Sequence, residues 1–345
     1  MYLEHFQLQD FPFRLTPDGD FFFLSEGHAR AKAYLDYTVM NRDGFVVITG
    51  EIGAGKTTLL NMLVNEYHNE VLLAHINQSQ LNDVEFLQAV LSAFGEPITG
   101  LHGKVELINR LRAFLERQVT TDRRVVLAVD EAQSLGFDAL EQVRMLAGME
   151  YQNTRLMSII LIGQPELQQV IQSPNLEQLA QRIRLRFHLG SLTRDEAKDY
   201  IRHRLRVAKA SSVNIFTEGA YDAIDRYAGG IPRLINSLCD MALLTAFVEE
   251  HPQVTGEIIE SAARELEWPP FEERGKGRAP MPGSALAVVD DSGTRGAASQ
   301  PPDGGPTPEQ MEALTSAVTD GFKEISGEIR RVRVQLSEFL VMLRR

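Results

Sequence analysis

Up to about residue 191 the chain alternates short, unbroken apolar runs with longer stretches of helical periodicity; beyond it only the helical period remains. The runs Phe45-Val46-Val47-Ile48, Val71-Leu72-Leu73-Ala74-His75-Ile76, Arg124–Val129 and Leu156–Ile162 are too short for helices. They carry no polar face, the pattern of strands buried on both sides. Helical patterns at Val84–Phe94, Lys104–Gln118 and Phe137–Gly148 lie between them. A fifth run alternates strictly, with Ile183, Leu185, Phe187 and Leu189 on one face and Arg182, Arg184, Arg186 and His188 on the other. Strands alternating with helices predict an α/β fold over residues 41–191, a central parallel five-stranded sheet with its ligand at the carboxyl ends of the strands.

Residues 192–267 read as a helical lid. Thr193-Arg194-Asp195-Glu196 has the form of a capping box opening a helix through Lys209, and a second helix is expected over Thr217–Tyr227. Gly229-Gly230 ends that helix, Pro232 suits the first turn of the next, Leu234–Val248, and Ile258–Leu266 closes the bundle. At the other end, residues 1–40 hold an aromatic strip punctuated by turn formers, then a helix over Ala29–Met40. This region is expected to pack on the sheet domain, with contact to a bound base as the alternative. From Trp268-Pro269-Pro270 the composition turns to Gly, Pro, Ser and Ala, predicting a flexible linker over 268–306. Residues 307–345 then predict an amphipathic helix. From Phe322 through Ile325, Ile329, Val332, Leu336, Phe339 and Leu343 the apolar spacing alternates three and four, the seam of a coiled coil. Such a stripe calls for a copy of itself, a partner helix or a membrane surface, the last kept open by Arg330, Arg331, Arg333, Arg344 and Arg345.

The chemistry concentrates where the first strand ends. Gly50-Glu51-Ile52-Gly53-Ala54-Gly55-Lys56-Thr57, followed by Thr58 and a helix, is G-x-x-x-x-G-K-[ST] in its strand–turn–helix setting. Glycines let the backbone curl so that successive N–H groups converge on a polyphosphate at a helix start. Lys56 is placed to reach the β- and γ-phosphates of ATP, and Thr57 to ligate Mg²⁺. The third apolar run ends in Asp130-Glu131, a strand tip that offers Asp130 to the metal and Glu131 to the attacking water. Gln164, at the end of the next strand, is a candidate sensor of the γ-phosphate. Arg182 is the candidate finger for a neighbouring copy's site, with Arg186 in reserve, although the sequence does not single out one arginine of 182, 184 and 186. Arg233 sits in a helix's first turn, where a cation opposes the dipole, and is the candidate lid arginine.

Composition narrows this picture. With 35 basic and 47 acidic residues and a net charge of −12, wrapping nucleic acid is not the default, although a local basic patch is open. The single cysteine, Cys239, admits no disulfide framework and fits a reducing compartment. No run approaches the length of a membrane span and the first residues lack a signal-peptide profile, so a cytoplasmic location is expected, with peripheral membrane contact possible through the last helix.

These residues together resemble the AAA+ ATPases of the general secretion pathway protein A type. Besides the nucleotide motifs, the resemblance rests on Tyr2, Phe6, Pro12-Phe13, Thr16-Pro17-Asp18, Leu24-Ser25 and His28, on Gly163-Gln164-Pro165-Glu166-Leu167, and on Gly229-Gly230-Ile231-Pro232-Arg233. It covers about residues 1–267 and implies an oligomer that hydrolyses ATP to drive assembly or remodelling of a secretion, envelope or polysaccharide-export system. Secretion-branch members often continue into a membrane helix and a peptidoglycan-binding domain; here a linker and coiled coil are expected instead, as in soluble relatives found with exosortase and polysaccharide export loci. Two other readings stand beside it. One is a DNA-associated AAA+ ATPase similar to target-selecting transposition proteins, its DNA face the basic stretch Arg182–Lys209. The other is a nucleotide-gated scaffold that turns over slowly.

Overall fold

The computed structural model describes residues 2–274 apart from Pro17, Asp43, Gln78, Ser79 and His102. Residues 275–306 of the linker expected over 268–306, and the coiled coil expected over 307–345, lie outside the described residues. A short helix α1 (Tyr2–His5) and an extended aromatic segment lead to α2 (Glu26–Met40), β1 (Phe45–Gly50), α3 (Lys56–Tyr67), β2 (Val71–Ile76), α4 (Asp83–Ala93), α5 (Lys104–Thr120), β3 (Arg124–Val129) and α6 (Phe137–Ala147). A two-stranded hairpin, β4 (Glu150–Tyr151) and β5 (Thr154–Arg155), precedes β6 (Ser158–Gly163), α7 (Glu166–Ile171), α8 (Glu177–Arg182) and β7 (Leu185–Leu189).

The main sheet has five parallel strands in the order β2-β3-β6-β1-β7. Its unbroken apolar runs have the expected cause, since each face is covered. Phe45, Val47, Leu127, Val129, Ile159 and Leu161 point into one cluster with α4, α5 and α6, while Val46, Ile48, Val126, Ala128, Ile160 and Ile162 meet α2 and α3 on the other face. Alternation survives only at the edge: Leu185, Phe187 and Leu189 of β7 are more buried than Arg186 and His188. Tyr34 of α2 meets Phe187 edge to face at 5.5 Å. Arg182 and Ile183, expected to begin this strand, belong instead to the end of α8 and its C-cap, so the strand starts three residues later.

The lid comprises α9 (Arg194–Val207), α10 (Glu218–Ala228), α11 (Pro232–Val248) and α12 (Gly256–Glu265). The capping box is present: Thr193 Oγ1 accepts from Glu196 N–H while Glu196 Oε2 accepts from Thr193 N–H at 3.0 Å. A cap of this kind contributes about 1 kcal/mol. Gly229 ends α10 at φ 56° and Gly230 follows at φ 71°. A Cβ on Gly230 would lie 2.0 Å from Leu192 O, so the lid's entry and the turn before α11 meet backbone to backbone. Cys239 is fully buried within this bundle.

Two expectations about the ends are corrected. Most of the aromatic strip does not cover the sheet domain; Tyr2, Phe6, Leu8, Phe13 and Phe21 are buried in the lid's own core, and of the strip's phenylalanines Phe22 joins α2 against the sheet. The lid offers a groove between α9 and α11, and Tyr2 Oη donates to Asp240 at 2.6 Å on α11. Arg204 of α9 donates to Pro12 O and, at 3.1 Å, to Arg14 O, tying the strip down by its backbone. The expected linker also starts too early. Trp268 packs on the lid core, and residues Phe271–Arg274 form a final short helix, α13, whose Arg274 donates to Tyr227 O at 2.8 Å.

Candidate functional site

The carboxyl ends of β1, β3 and β6 deliver Gly50, Asp130 and Gln164 to one place, because β6 lies between the other two. The loop after β1 turns on Gly53 (φ 84°) and Gly55 (φ 96°), left-handed conformations that L side chains rarely adopt. Helix α3 begins at Lys56, so Lys56, Thr57 and Thr58 occupy its first turn. Lys56 is buried, and its Nζ donates to Gly50 O at 2.7 Å and Glu51 O at 2.9 Å. Burial lowers its pKa, an effect only partly offset by Glu131, Asp130, Glu51 and Glu166.

Thr57 Oγ1 donates to Asp130 Oδ2 at 2.7 Å, joining the helix start to the tip of β3. Asp130 is 1% exposed, and its Oδ1 accepts from Glu131 N–H at 2.9 Å. Glu131 stands at φ 50°, which swings its side chain away from that of Asp130 and towards β6. There Gln164 Nε2 donates to Glu131 Oε2 at 3.0 Å and Gln133 Nε2 donates to the same oxygen at 2.6 Å. Gln133 Oε1 in turn accepts from Gln164 N–H at 2.9 Å. Burial acts to raise the Glu131 pKa, yet the two amide donors and Lys56 outweigh it and hold the carboxyl below its ordinary value. Gln133 is the residue that motif reading missed. A polar residue two positions after an acidic strand tip was the available signal, but its use depends on β6 lying alongside.

The lid closes over this loop through Arg233. Its N–H donates to Gly53 O at 3.3 Å, and a Cβ on Gly53 would lie 2.4 Å from Arg233 Cβ. Its guanidinium has no carboxylate partner among the described residues. Between loop, lid and aromatic segment lies a cavity of about 380 Å³ lined by Lys56, Thr57, Glu131, Arg233, Asn236 and Phe22 among others. Of the residues expected to carry chemistry, Lys56, Thr57, Asp130, Glu131, Gln164 and Arg233 thus converge.

Residues 39–171 match the AAA domain family. The chain is also 40% identical over 259 residues to General secretion pathway protein A of Aeromonas hydrophila, a match that takes in 75% of this chain and 47% of that protein. This chain carries an AAA domain and is a relative of that protein. It spans about half the length of the relative it matches. Among solved structures, Cdc6p from Pyrobaculum aerophilum matches with TM-score 0.57 at 16% identity, over 76% of this chain and 75% of that one. The Aeropyrum pernix ORC2 protein matches with TM-score 0.53 at 16% identity, over 70% and 67%. At such identities these likenesses speak to the fold.

Arg182 stands apart from the phosphate loop. It ends α8 beside the amino-terminal end of the sheet, in a cavity of about 720 Å³ that it shares with Phe45 at the start of β1, Met157 just before β6, Arg155 and Arg184. The Arg182 guanidinium lies against Gly148 after α6, with a terminal nitrogen 2.7 Å from where a Cβ on that glycine would stand. Arg186, the reserve candidate, donates to Ala180 O at 2.9 Å. The basic stretch Arg182–Lys209 does not form one face. Arg204 is buried, while Arg194 and Lys198 pair with Asp222 and Glu218 of α10. No helix among the described residues is long and apolar enough to cross a membrane.

Proposed function

We propose that the chain is an Mg²⁺-dependent, oligomeric ATPase in which nucleotide binding and hydrolysis drive assembly or remodelling of a secretion, envelope or polysaccharide-export system. The observation that carries the reading is the joined network Thr57–Asp130 and Glu131–Gln164–Gln133 beside the phosphate loop. Its donors fit the substrate: Gly53 to Thr57 form a backbone cradle with a cation, and a cavity of about 380 Å³ lies beside it. The hydroxyl of Thr57 and carboxylate of Asp130 are hard oxygen donors within hydrogen-bond reach of one another, the chemistry Mg²⁺ prefers. Those two would hold the ion, which when bound neutralises charge on the phosphate oxygens. Glu131, ionised and aimed by two amides, orients and polarises the attacking water. Gln164 links that carboxylate to the γ-phosphate position, and Arg233 brings the lid's charge onto the same end of the nucleotide.

Arg182 serves the next copy. The guanidinium's distance from its own phosphate loop and its lack of a carboxylate partner among the described residues support this, as does the heptad stripe of 307–345 for self-association. The secretion role is supported by the 40% identity to General secretion pathway protein A, and it makes a cytoplasmic site of action the natural one. The DNA-associated alternative draws on the basic stretch, but pairing of Arg194 and Lys198 within the lid and burial of Arg204 leave it little free charge.

Phosphate release and light scattering at rising protein concentration test the reading. Turnover that climbs more than linearly, together with growing mass in ATP, is the expected result. Turnover strictly proportional to protein, with a constant monomer mass, would sink the shared-site mechanism. Steeply salt-dependent duplex binding would favour the DNA alternative.

A further inference from the structure

One buried histidine lies against the phosphate loop without belonging to any nucleotide motif. His28 of α2 is 4% exposed, and its ring bridges the aromatic segment and the loop. Nε2 lies 2.9 Å from Ala54 O and Nδ1 lies 2.7 Å from Ser25 Oγ, the N-cap of α2. A carbonyl only accepts, so Nε2 carries the proton and Ser25 Oγ–H donates to Nδ1. Ser25 Oγ also accepts from His28 N–H at 3.3 Å, which fixes the hydroxyl's direction. Phe22 meets the ring edge to face at 5.3 Å. Burial lowers the imidazole's pKa against the pull of the Ala54 carbonyl and Glu196, consistent with the neutral tautomer.

The consequence lies in the peptide plane. In a trans peptide the carbonyl of one residue and the N–H of the next point in opposite directions. Holding Ala54 O on the outer side of the loop therefore aims Gly55 N–H the other way, towards the phosphates. Next to a glycine at φ 96° a flip of this peptide costs little, and it would turn a carbonyl oxygen into an anion site. A Cβ on Gly55 would lie 2.8 Å from His28 Nε2, so the ring and the bare glycine are matched in shape as well.

We propose that His28 is a positioning residue for polyphosphate binding, locking the Ala54–Gly55 peptide in the orientation that completes the cradle. Ser25 and Phe22 hold the ring for that purpose, which gives the Leu24-Ser25…His28 stretch a role in nucleotide binding.

The test is affinity of the full chain for a fluorescent ATP analogue and for ADP in the His28→Leu, His28→Gln and Ser25→Ala variants, with melting temperatures measured without nucleotide. His28→Leu should weaken both nucleotides about tenfold or more, and His28→Gln, whose amide can donate to Ala54 O, should stay within about threefold of the parent. Equal impairment in both variants with parent-like melting, or parent-like affinity in His28→Leu, overturns the proposal. Should His28→Leu fail to fold, weakened binding in Ser25→Ala beside parent-like binding in His28→Gln supports it, and the opposite order overturns it. The inference rests on the nucleotide reading of the loop. A parent chain that binds no ATP defeats that reading, whereas parent-like affinity in His28→Leu defeats only this one.

Discussion

The two ends of the five-stranded sheet are built on opposite plans. At the carboxyl end the loop and strand-tip charges are held in place: Lys56 bonds its own loop, Asp130 holds Thr57, and Glu131 is held by two glutamines, while the Arg233 guanidinium stands over them without a carboxylate partner among the described residues. At the amino end Arg155, Arg182 and Arg184 gather around a wider cavity, and Arg182 has no acidic partner among the described residues. One end is a connected network beside the glycine-rich loop; the other carries a cation with no acidic partner among the described residues, which the proposed function assigns to a neighbouring copy. The contrast teaches that a half-site can be read from local satisfaction. A satisfied network marks what a copy does for itself, and on the reading proposed above an unpaired guanidinium far from its own phosphate loop marks what it would offer to another.

Breaking the first end should have the largest effect. Lys56→Ala is expected to weaken ATP binding by roughly 100-fold or more in equilibrium titration, since a buried cation on the phosphates is removed. Retained affinity would mean the nucleotide binds elsewhere. Next, Arg182→Ala should leave ATP affinity within about threefold and cut steady-state hydrolysis by about 10³-fold. Mixing it with Glu131→Gln should restore part of the turnover, because each copy then supplies what the other lacks. Hydrolysis by Arg182→Ala alone at high concentration would end the finger assignment.

Glu131→Gln by itself should trap ATP and slow hydrolysis by about 10²–10⁴-fold, read as nucleotide retained through gel filtration. The smallest effect, about tenfold on turnover, is expected for Gln133→Leu. It also sharpens the comparison by pH. The amide donors hold Glu131 below the ordinary carboxylate value against burial, so the parent's acid limb lies low. Without Gln133 the pKa rises and protonation begins at higher pH, moving the acid limb of kcat upward. An unmoved limb would show that Gln133 does not tune this carboxylate.

The nucleotide end was largely legible in the chain. Gly50–Thr57, Asp130-Glu131 and Gln164 are tied to strand ends by short-range pattern, and a parallel sheet brings strand ends together. What escaped depends on long-range contact. Gln133 matters because β6 runs beside β3, and His28 because the chain returns to the loop 26 residues later in sequence. The aromatic strip carries apolar residues whose owner no periodicity names, and here the lid claims them. Near Arg182 the alternation of Ile183 and Leu185 imitated a strand one turn early, since a helix end and an extended run share that spacing over so few residues.

The last described residues have a mechanical consequence. Phe271 lies where a side chain on Gly229 would stand, 2.2 Å from its Cβ position, and Arg274 grips Tyr227 O while its guanidinium lies 4.3 Å over the Trp268 ring. The end of the described residues is thereby clamped to the turn from which α11 and Arg233 spring. A displacement of α13 would therefore pass to the Gly229–Gly230 turn, and through it to the start of the helix whose Arg233 rests on Gly53.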